Sequence, residues 1–169
     1  MLLMGKSPYL KSGRLSDVIA AIQTMSLNER SSQSCKEWAR IIAGDETKAD
    51  QWRSVFTEHP EFFRKSTYKG SPDAYALVWR RASPRNFYRL EGRAVTPAEF
   101  DGLTNEQQGY VSRVRVPEGE IKTLIDIAVE LHSKAREQHI DWRWWVPTAA
   151  SFVGALLAVL LGQALGGGP

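Results

Sequence analysis

The chain holds few of the side chains from which catalytic sites are built. It has one cysteine, Cys35, and three histidines, His59, His132 and His139. His132 and His139 are seven positions apart, whereas a helical zinc pair needs a spacing of four. The sequence places no histidine beside Cys35, so the thiol has no predicted activating base. These patterns predict no catalytic residue, metal site or cofactor, and the single cysteine excludes an intrachain disulfide.

Basic residues concentrate in the middle of the chain, in a pattern that suits a polyanion. Residues 64–93 contain eight Lys or Arg and two acids, although the whole chain carries only +3. Tyr75, Trp79 and Phe87 lie among them, so that cations can meet phosphates while rings stack or pack. The pattern predicts nucleic acid or anionic lipid headgroups as ligands. A solvated strand face without a ligand is the alternative.

An uncharged apolar stretch near the end of the sequence has the length of a membrane span. Residues 146–165 are 20 residues dominated by Ala, Val, Leu, Phe and Gly, and they would form about 30 Å of helix. Interfacial aromatic and basic residues precede the stretch: Trp142, Arg143, Trp144 and Trp145. The pattern predicts a single-pass anchor in the lipid bilayer at residues 142–169.

The charges around this stretch predict its orientation. Lys134, Arg136 and Arg143 precede it, and no basic residue follows it. Because cytoplasmic flanks are enriched in Lys and Arg, the N-terminal body is predicted to lie in the cytoplasm. The position of the stretch resembles the topology of tail-anchored proteins, which insert after synthesis. A buried core helix of a soluble domain is the alternative.

Small residues recur every four positions within the predicted span. They are Ala150, Gly154, Ala158 and Gly162. Such a ridge lets a second helix approach closely, which predicts homo-oligomerisation through the anchor. The alternative is that Ala and Gly are simply common in membrane helices.

Three short helices are predicted in the first third of the chain. Apolar periodicity predicts the first helix over Arg14–Leu27. Ser34 begins a capping box with Glu37, and Gly44 ends the second helix. Thr47 is predicted to cap the third, which runs toward Glu58. Its aromatic residues and those just after it are predicted to lie in the core: Trp52, Phe56, Phe62 and Phe63.

A β-hairpin and a long helix are predicted further along. Residues 74–81 and 87–90 are predicted to form the two strands of the hairpin, joined by a turn at 83–86. Residues 96–99 start a short helical turn, and 110–116 alternate loosely as a strand does. Pro117 is predicted to open the longest helix, which runs to about His139.

Three helices followed by a hairpin resemble the winged-helix family across residues 14–95. The resemblance implies that the third helix and the hairpin form the contact surface. On the third helix the matching positions are Lys48, Gln51, Arg53 and Ser54; on the hairpin they are Arg80, Arg81, Arg85 and Arg89. Lys65 and Lys69 complete the predicted basic surface.

The sequence thus predicts a mainly helical α+β protein in four parts. These are a flexible N-terminus (1–13), a winged-helix-like domain (14–95), a helical extension (96–141) and the anchor (142–169). The predicted function is non-enzymatic recruitment of a protein partner to the membrane. The alternatives are a membrane-tethered DNA-binding protein and, with least support, an enzyme acting on a membrane-associated substrate.

Overall fold

The computed structural model describes residues 7–66 and 73–138. The helices are α1 (Arg14–Leu27), α2 (Cys35–Ala43), α3 (Ala49–Glu58), α4 (Pro97–Asp101) and α5 (Asn105–Gln108), and residues 118–138 are helical as α6. The strands are β1 (Ser32–Ser34), β2 (Phe63–Lys65), β3 (Ala74–Leu77), β4 (Phe87–Tyr88), β5 (Arg93–Ala94) and β6 (Val111–Ser112). The protein is therefore a mostly helical α+β fold with small antiparallel sheets.

The first sheet joins three strands in the order β1-β3-β2, and both pairings are antiparallel. In the register, Tyr75 of β3 lies between Gln33 of β1 and Lys65 of β2. Along the chain the sequence of elements is therefore helix, strand, two helices and then two paired strands.

The hairpin predicted between residues 74–81 and 87–90 is wrong. β3 ends at Leu77, because the chain turns into a 3-10 helix at Trp79–Ala82. Its partners are β1 and β2, whereas β4, which lies in the predicted second strand, pairs with β5 and β6. Phe63 pairs with Leu77, and both side chains enter the core, which fixes this register.

The second sheet has the order β5-β4-β6 and its own small core. Tyr88, Val95 and Val111 are buried there, with Phe100 and Leu103 packed against them. Thr96 forms the predicted capped turn, since its side chain accepts from the Glu99 N–H and the Glu99 carboxylate accepts from the Thr96 N–H. The strand predicted over 110–116 is confirmed only for Val111–Ser112.

The three predicted N-terminal helices are present. Ser34 caps α2 by accepting from the Glu37 N–H at 3.2 Å, and Gly44 ends it with a φ of 68°. The start of α3 differs from the prediction. The Asp45 carboxylate accepts from the Thr47 N–H at 2.9 Å and caps a 3-10 turn, after which α3 begins at Ala49.

The main core lies between the helices and the first sheet. The predicted core aromatics are confirmed: Trp52, Phe56, Phe62 and Phe63 are all buried. Trp38 of α2 donates its Nε1–H to the Tyr75 carbonyl at 2.9 Å, which ties helix to sheet. The predicted long helix is also confirmed, since α6 buries Leu124 and Ala128 against this core.

The predicted anchor lies outside the described residues. This applies to its interface residues, to the small-residue ridge from Ala150 to Gly162, and also to Lys69 of the predicted basic surface. Within residues 7–66 and 73–138, no helix combines the length and the apolar character needed to cross a bilayer.

Candidate functional site

The outer face of the first sheet carries small side chains. Successive residues of a strand point to opposite faces. On β3, Tyr75 and Leu77 enter the main core, whereas Ala74 and Ala76 line a groove on the other side. Ser34 lies opposite Ala74, and Ser32 lies opposite Ala76. These serines and alanines form the floor of the groove.

The groove runs between the first and second sheets. One side is formed by Arg64 and Lys65 of β2. The other is formed by residues of the second sheet and its flanks: Arg85, Arg89, Gly109, Val111, Ser112 and Arg113. The Ser31 N–H, just before β1, donates to Ser112 Oγ of β6 at 3.3 Å and so connects the first sheet to the second. The volume is about 1060 Å³, at the upper limit of ordinary small-molecule sites. The groove is therefore large enough for part of a polymer.

Positive charge dominates the lining of the groove. Eight cations line it: Arg30, Arg64, Lys65, Arg80, Arg81, Arg85, Arg89 and Arg113. Glu37 is the one carboxylate among the described lining residues, and it pairs with Arg40. Across the described part of the chain, none of the eight cations forms an ion pair with a carboxylate.

Two of the cations are positioned by backbone carbonyls of the second sheet. Arg85 donates from Nε to the Val111 carbonyl at 2.9 Å. Arg89 donates from Nε to the Tyr110 carbonyl at 3.1 Å, and its guanidinium lies 5.5 Å from the centre of the Tyr110 ring. Because carbonyls do not neutralise a cation, both side chains are oriented and keep their charge.

Arg80 is different, because its side chain is buried. It is 1% exposed and donates to the carbonyls of Met25, Asn28, Arg113 and Val114 at 2.6–3.2 Å. These bonds connect the end of α1 to residues 113–114, which follow β6. The prediction that Arg80 belongs to an exposed binding surface is wrong, since four carbonyls from distant segments enclose its guanidinium.

Like charges are held together at the base of the groove. Burial, and then repulsion from Arg115 and Arg113, lower the pKa of Arg80 to about 10. Burial, and then Arg81 and Arg85, also lower the pKa of Arg113. A pKa of about 10 leaves Arg80 charged at neutral pH, so the base of the groove holds positive charge that a bound anion would neutralise.

Four further cations extend from the rim. They are Arg30, Arg64, Lys65 and Arg81, and all four are exposed. Within the described ranges none of these side chains makes a hydrogen bond. Side chains of this kind can contact an incoming phosphate without first breaking a bond inside the protein.

The structure divides the predicted basic surface into two places. Lys65, Arg81, Arg85 and Arg89 line the groove together with the buried Arg80. Lys48 and Arg53 lie elsewhere. Arg53 makes a two-point ion pair with Asp73, with distances of 3.0 and 2.6 Å, and this pairing raises the pKa of Arg53.

Sequence reasoning missed Arg30 and Arg113 as members of the groove. Arg30 comes just before β1, and Arg113 follows β6. The alternation of apolar residues and arginines over residues 111–116 is a local signal for a strand with a basic face. No local signal shows that this face meets the region around β1, because the contact joins segments about 80 positions apart.

Cys35 and His59, two of the groups considered for catalysis, are buried in separate places. Burial, reinforced by Asp73, raises the pKa of the Cys35 thiol to about 12, so it is protonated at neutral pH. The His59 Nδ1 lies 3.1 Å from Glu61 Oε1, and its ring lies 4.5 Å from the ring of Tyr9. Burial lowers the pKa of His59. The two residues therefore do not form a nucleophile and base pair.

Comparisons with known proteins give no relative for this chain. No protein-family model, curated protein or solved structure matches it. Among residues 7–66 and 73–138, no three His, Cys, Asp or Glu side chains are placed to hold a metal ion. The groove is therefore the candidate functional site.

Proposed function

We propose that this protein is a non-enzymatic module that binds nucleic acid in the basic groove. The observation that carries the proposal is the set of eight lining cations with Glu37 as the only described lining carboxylate. Lys and Arg side chains that neutralise phosphates supply most of the affinity of sequence-independent nucleic-acid binding. Exposed rim cations such as Arg64 and Arg81 supply this charge without breaking an internal ion pair.

The order of elements supports a winged-helix-like domain. The segment from α1 to β3 runs helix, strand, helix, helix and two paired strands, with the sheet order β1-β3-β2. In this proposal the wing is formed by β2 and β3. The proposed wing thus lies earlier in the chain than the sequence predicted, and its first strand carries Arg64 and Lys65.

The anchor at residues 142–169 belongs to the same proposal and rests on the sequence alone. It would hold the domain at a membrane with the body in the cytoplasm. The module would then keep its nucleic-acid ligand close to the bilayer.

Recruitment of a protein partner is the second candidate, and exposed apolar residues favour it. Val78 and Trp79 are 36% and 43% exposed and are adjacent in the chain to the groove arginines. Tryptophan is enriched at the centres of protein interfaces. Two results together would favour this candidate: the chain fails to bind nucleic acid, and the Trp79→Ala substitution abolishes co-purification of a protein.

Two matched variants test the proposed function. The groove variant replaces three rim cations: Arg64→Gln, Lys65→Gln and Arg81→Gln. The control variant removes the same charge from exposed positions on α6: Lys122→Gln, Lys134→Gln and Arg136→Gln. Binding of fluorescent DNA and RNA to the full chain in non-ionic detergent is measured by anisotropy at several salt concentrations.

The groove variant should bind at least about tenfold more weakly than the wild type. Its plot of log affinity against log salt should be shallower by about 2.7, since each lost phosphate contact removes about 0.9. The control variant should behave as wild type. Equal losses in both variants would show that binding depends on net charge and not on the groove, and the proposal would then fail.

A further inference from the structure

We infer that the groove binds a nucleic-acid duplex through its phosphates, without reading bases and without contact from α3. The inference rests on the proposed function and specifies its ligand. It departs from the contact surface that the winged-helix resemblance implies, in which the third helix takes part.

The helix α3 and the groove lie on opposite sides of the first sheet. Phe56 of α3 packs on the core face, with ring centres 5.1 Å from Phe63 and 5.3 Å from Tyr75. The groove floor is formed on the other face by Ala74 and Ala76. A ligand that fills the groove therefore does not reach the outer surface of α3.

Within its own bounds, α3 offers no unpaired positive charge. Its one cation, Arg53, pairs with Asp73 at 2.6 Å and also contacts Asp50. Its last residue, Glu58, lies 2.5 Å from Lys11 and 3.1 Å from Arg14. Apart from Lys48, which precedes its first turn, a DNA backbone approaching α3 would meet carboxylates and a cation that is already neutralised.

The shape and the lining of the groove limit how it can recognise a nucleic acid. Base edges in a duplex are read by a helix or a ribbon that enters a groove of the DNA, whereas this site is concave. Single strands are held largely by stacking on aromatic rings, and the described lining residues include no Phe, Tyr, Trp or His. Charge is the remaining source of affinity.

Attraction by charge alone favours the ligand with the denser charge. A duplex carries one negative charge per about 1.7 Å of its axis, whereas each strand alone carries one per about 3.4 Å. The floor of Ser32, Ser34, Ala74 and Ala76 lets a sugar-phosphate ridge approach the sheet while the rim arginines contact its phosphates. The fit predicts a preference for duplex over single strand and little preference among sequences.

The test compares four ligands on the full chain in non-ionic detergent. Two are duplexes of unrelated sequence, about 20 base pairs long, and the third is one of their single strands. The fourth is phosphatidylserine added to the same micelles. An α3 variant, Lys48→Gln with Gln51→Ala, is measured beside the groove and control variants.

Both duplexes should bind alike within about twofold, and about tenfold tighter than the single strand. Raising salt from about 50 to about 200 mM should weaken duplex binding about a hundredfold, as expected for four phosphate contacts. The groove variant should lose this binding, while the α3 and control variants keep it.

Four results would overturn the inference. Binding to the single strand as tight as to the duplex would overturn it while leaving the proposed function intact. A tenfold preference for one duplex sequence, or a loss of binding in the α3 variant, would have the same consequence. Binding to phosphatidylserine with no binding to any nucleic acid would overturn the inference and the proposed function together.

Discussion

Arg80 and Arg81 are adjacent in the chain but have different environments. The Arg80 guanidinium is buried and donates to four carbonyls, two of them at the end of α1 and two at residues 113 and 114. The Arg81 side chain is exposed and makes no hydrogen bond to any described residue. Arg80 therefore stabilises the fold, whereas Arg81 is available to a ligand.

Replacement of each arginine by methionine should separate these two roles. Arg80→Met should lower the free energy of unfolding by about 3 kcal/mol, because it leaves buried carbonyls without donors. Arg81→Met should change stability by less than about 0.5 kcal/mol and should weaken nucleic-acid binding. Denaturant unfolding followed by circular dichroism measures the first effect, and anisotropy measures the second. Equal destabilisation by the two substitutions would contradict this division.

The sequence could not predict which of these two arginines is buried. Their local context is the same run of basic and aromatic residues, and alternation along the predicted strand would turn Arg81, and not Arg80, to the face of Tyr75 and Leu77. The burial of Arg80 depends on carbonyls that lie 33–55 positions away in the chain. Only the approach of residues 113–114 to the end of α1 in the folded chain brings these oxygens together.

At the scale of elements, the helices were predictable because their signals are local. The first turn of α2 is set by Ser34, and its end is set by Gly44, which adopts a positive φ that other residues rarely adopt. The strands were harder to predict, because they are two to four residues long. β1 is Ser-Gln-Ser, a segment of low strand propensity whose extended form comes from pairing with residues about 40 positions later.

The N-terminal segment packs on the connection between α3 and β2. Tyr9 is buried, donates to the Glu61 carboxylate and contacts the edge of the His59 ring. Lys11 pairs with Glu58 at 2.5 Å. His59 is fully buried, and its Nε2 has no hydrogen-bond partner among the described residues. Protonation of this ring would place a charge where no water reaches it.

This contact should make stability depend on pH. Burial lowers the pKa of His59 below its ordinary value of 6.5, so the unfolded chain takes up a proton at a higher pH than the folded chain. The stability gained from neutral His59 is complete above about pH 6.5 and is lost as the pH falls toward the folded pKa. One such proton contributes at most about 1.4 kcal/mol per pH unit.

Urea unfolding between pH 7 and pH 5 tests the role of His59. His59→Gln should reduce the slope of stability against pH, whatever it does to stability at pH 7. Tyr9→Phe keeps the histidine and should keep the slope, although it removes the hydrogen bond to Glu61. If His59→Gln retains the wild-type slope, other groups cause the pH dependence.

At the scale of the whole molecule, the anchor can be predicted from the sequence, whereas the groove cannot. The anchor at 142–169 is predicted from a continuous run of apolar residues, and it remains a prediction from sequence. The groove brings together Arg30, Arg64, Arg81 and Arg113, which lie on separate elements. Composition showed an excess of positive charge, but only the packing of the two sheets shows where the cations come together.

Bringing these cations together should lower the free energy of unfolding of the ligand-free protein. Arg113 illustrates the cost, since burial and its neighbours Arg81 and Arg85 lower its pKa. The free protein therefore holds repelling charges that favour unfolding, and a bound polyanion reverses their effect. Sites built for ligands often carry such a conflict between stability and function.

The order of thermal stability among the variants should therefore reverse when the ligand is added. Without DNA, the groove variant should unfold at a higher temperature than the wild type, because it has lost three cations of the groove, including Arg81, which repels Arg113. A duplex at about a hundred times its dissociation constant should stabilise the wild type by about 2.7 kcal/mol, which raises Tm by about 5–10 °C. The groove variant should gain little and so become the less stable protein, whereas the α6 control variant should gain the full shift. Circular dichroism melts with and without duplex measure both orders. A groove variant less stable than the wild type without DNA would show that these cations do not repel in the free protein, and one that stays more stable with DNA would show that they do not contact it.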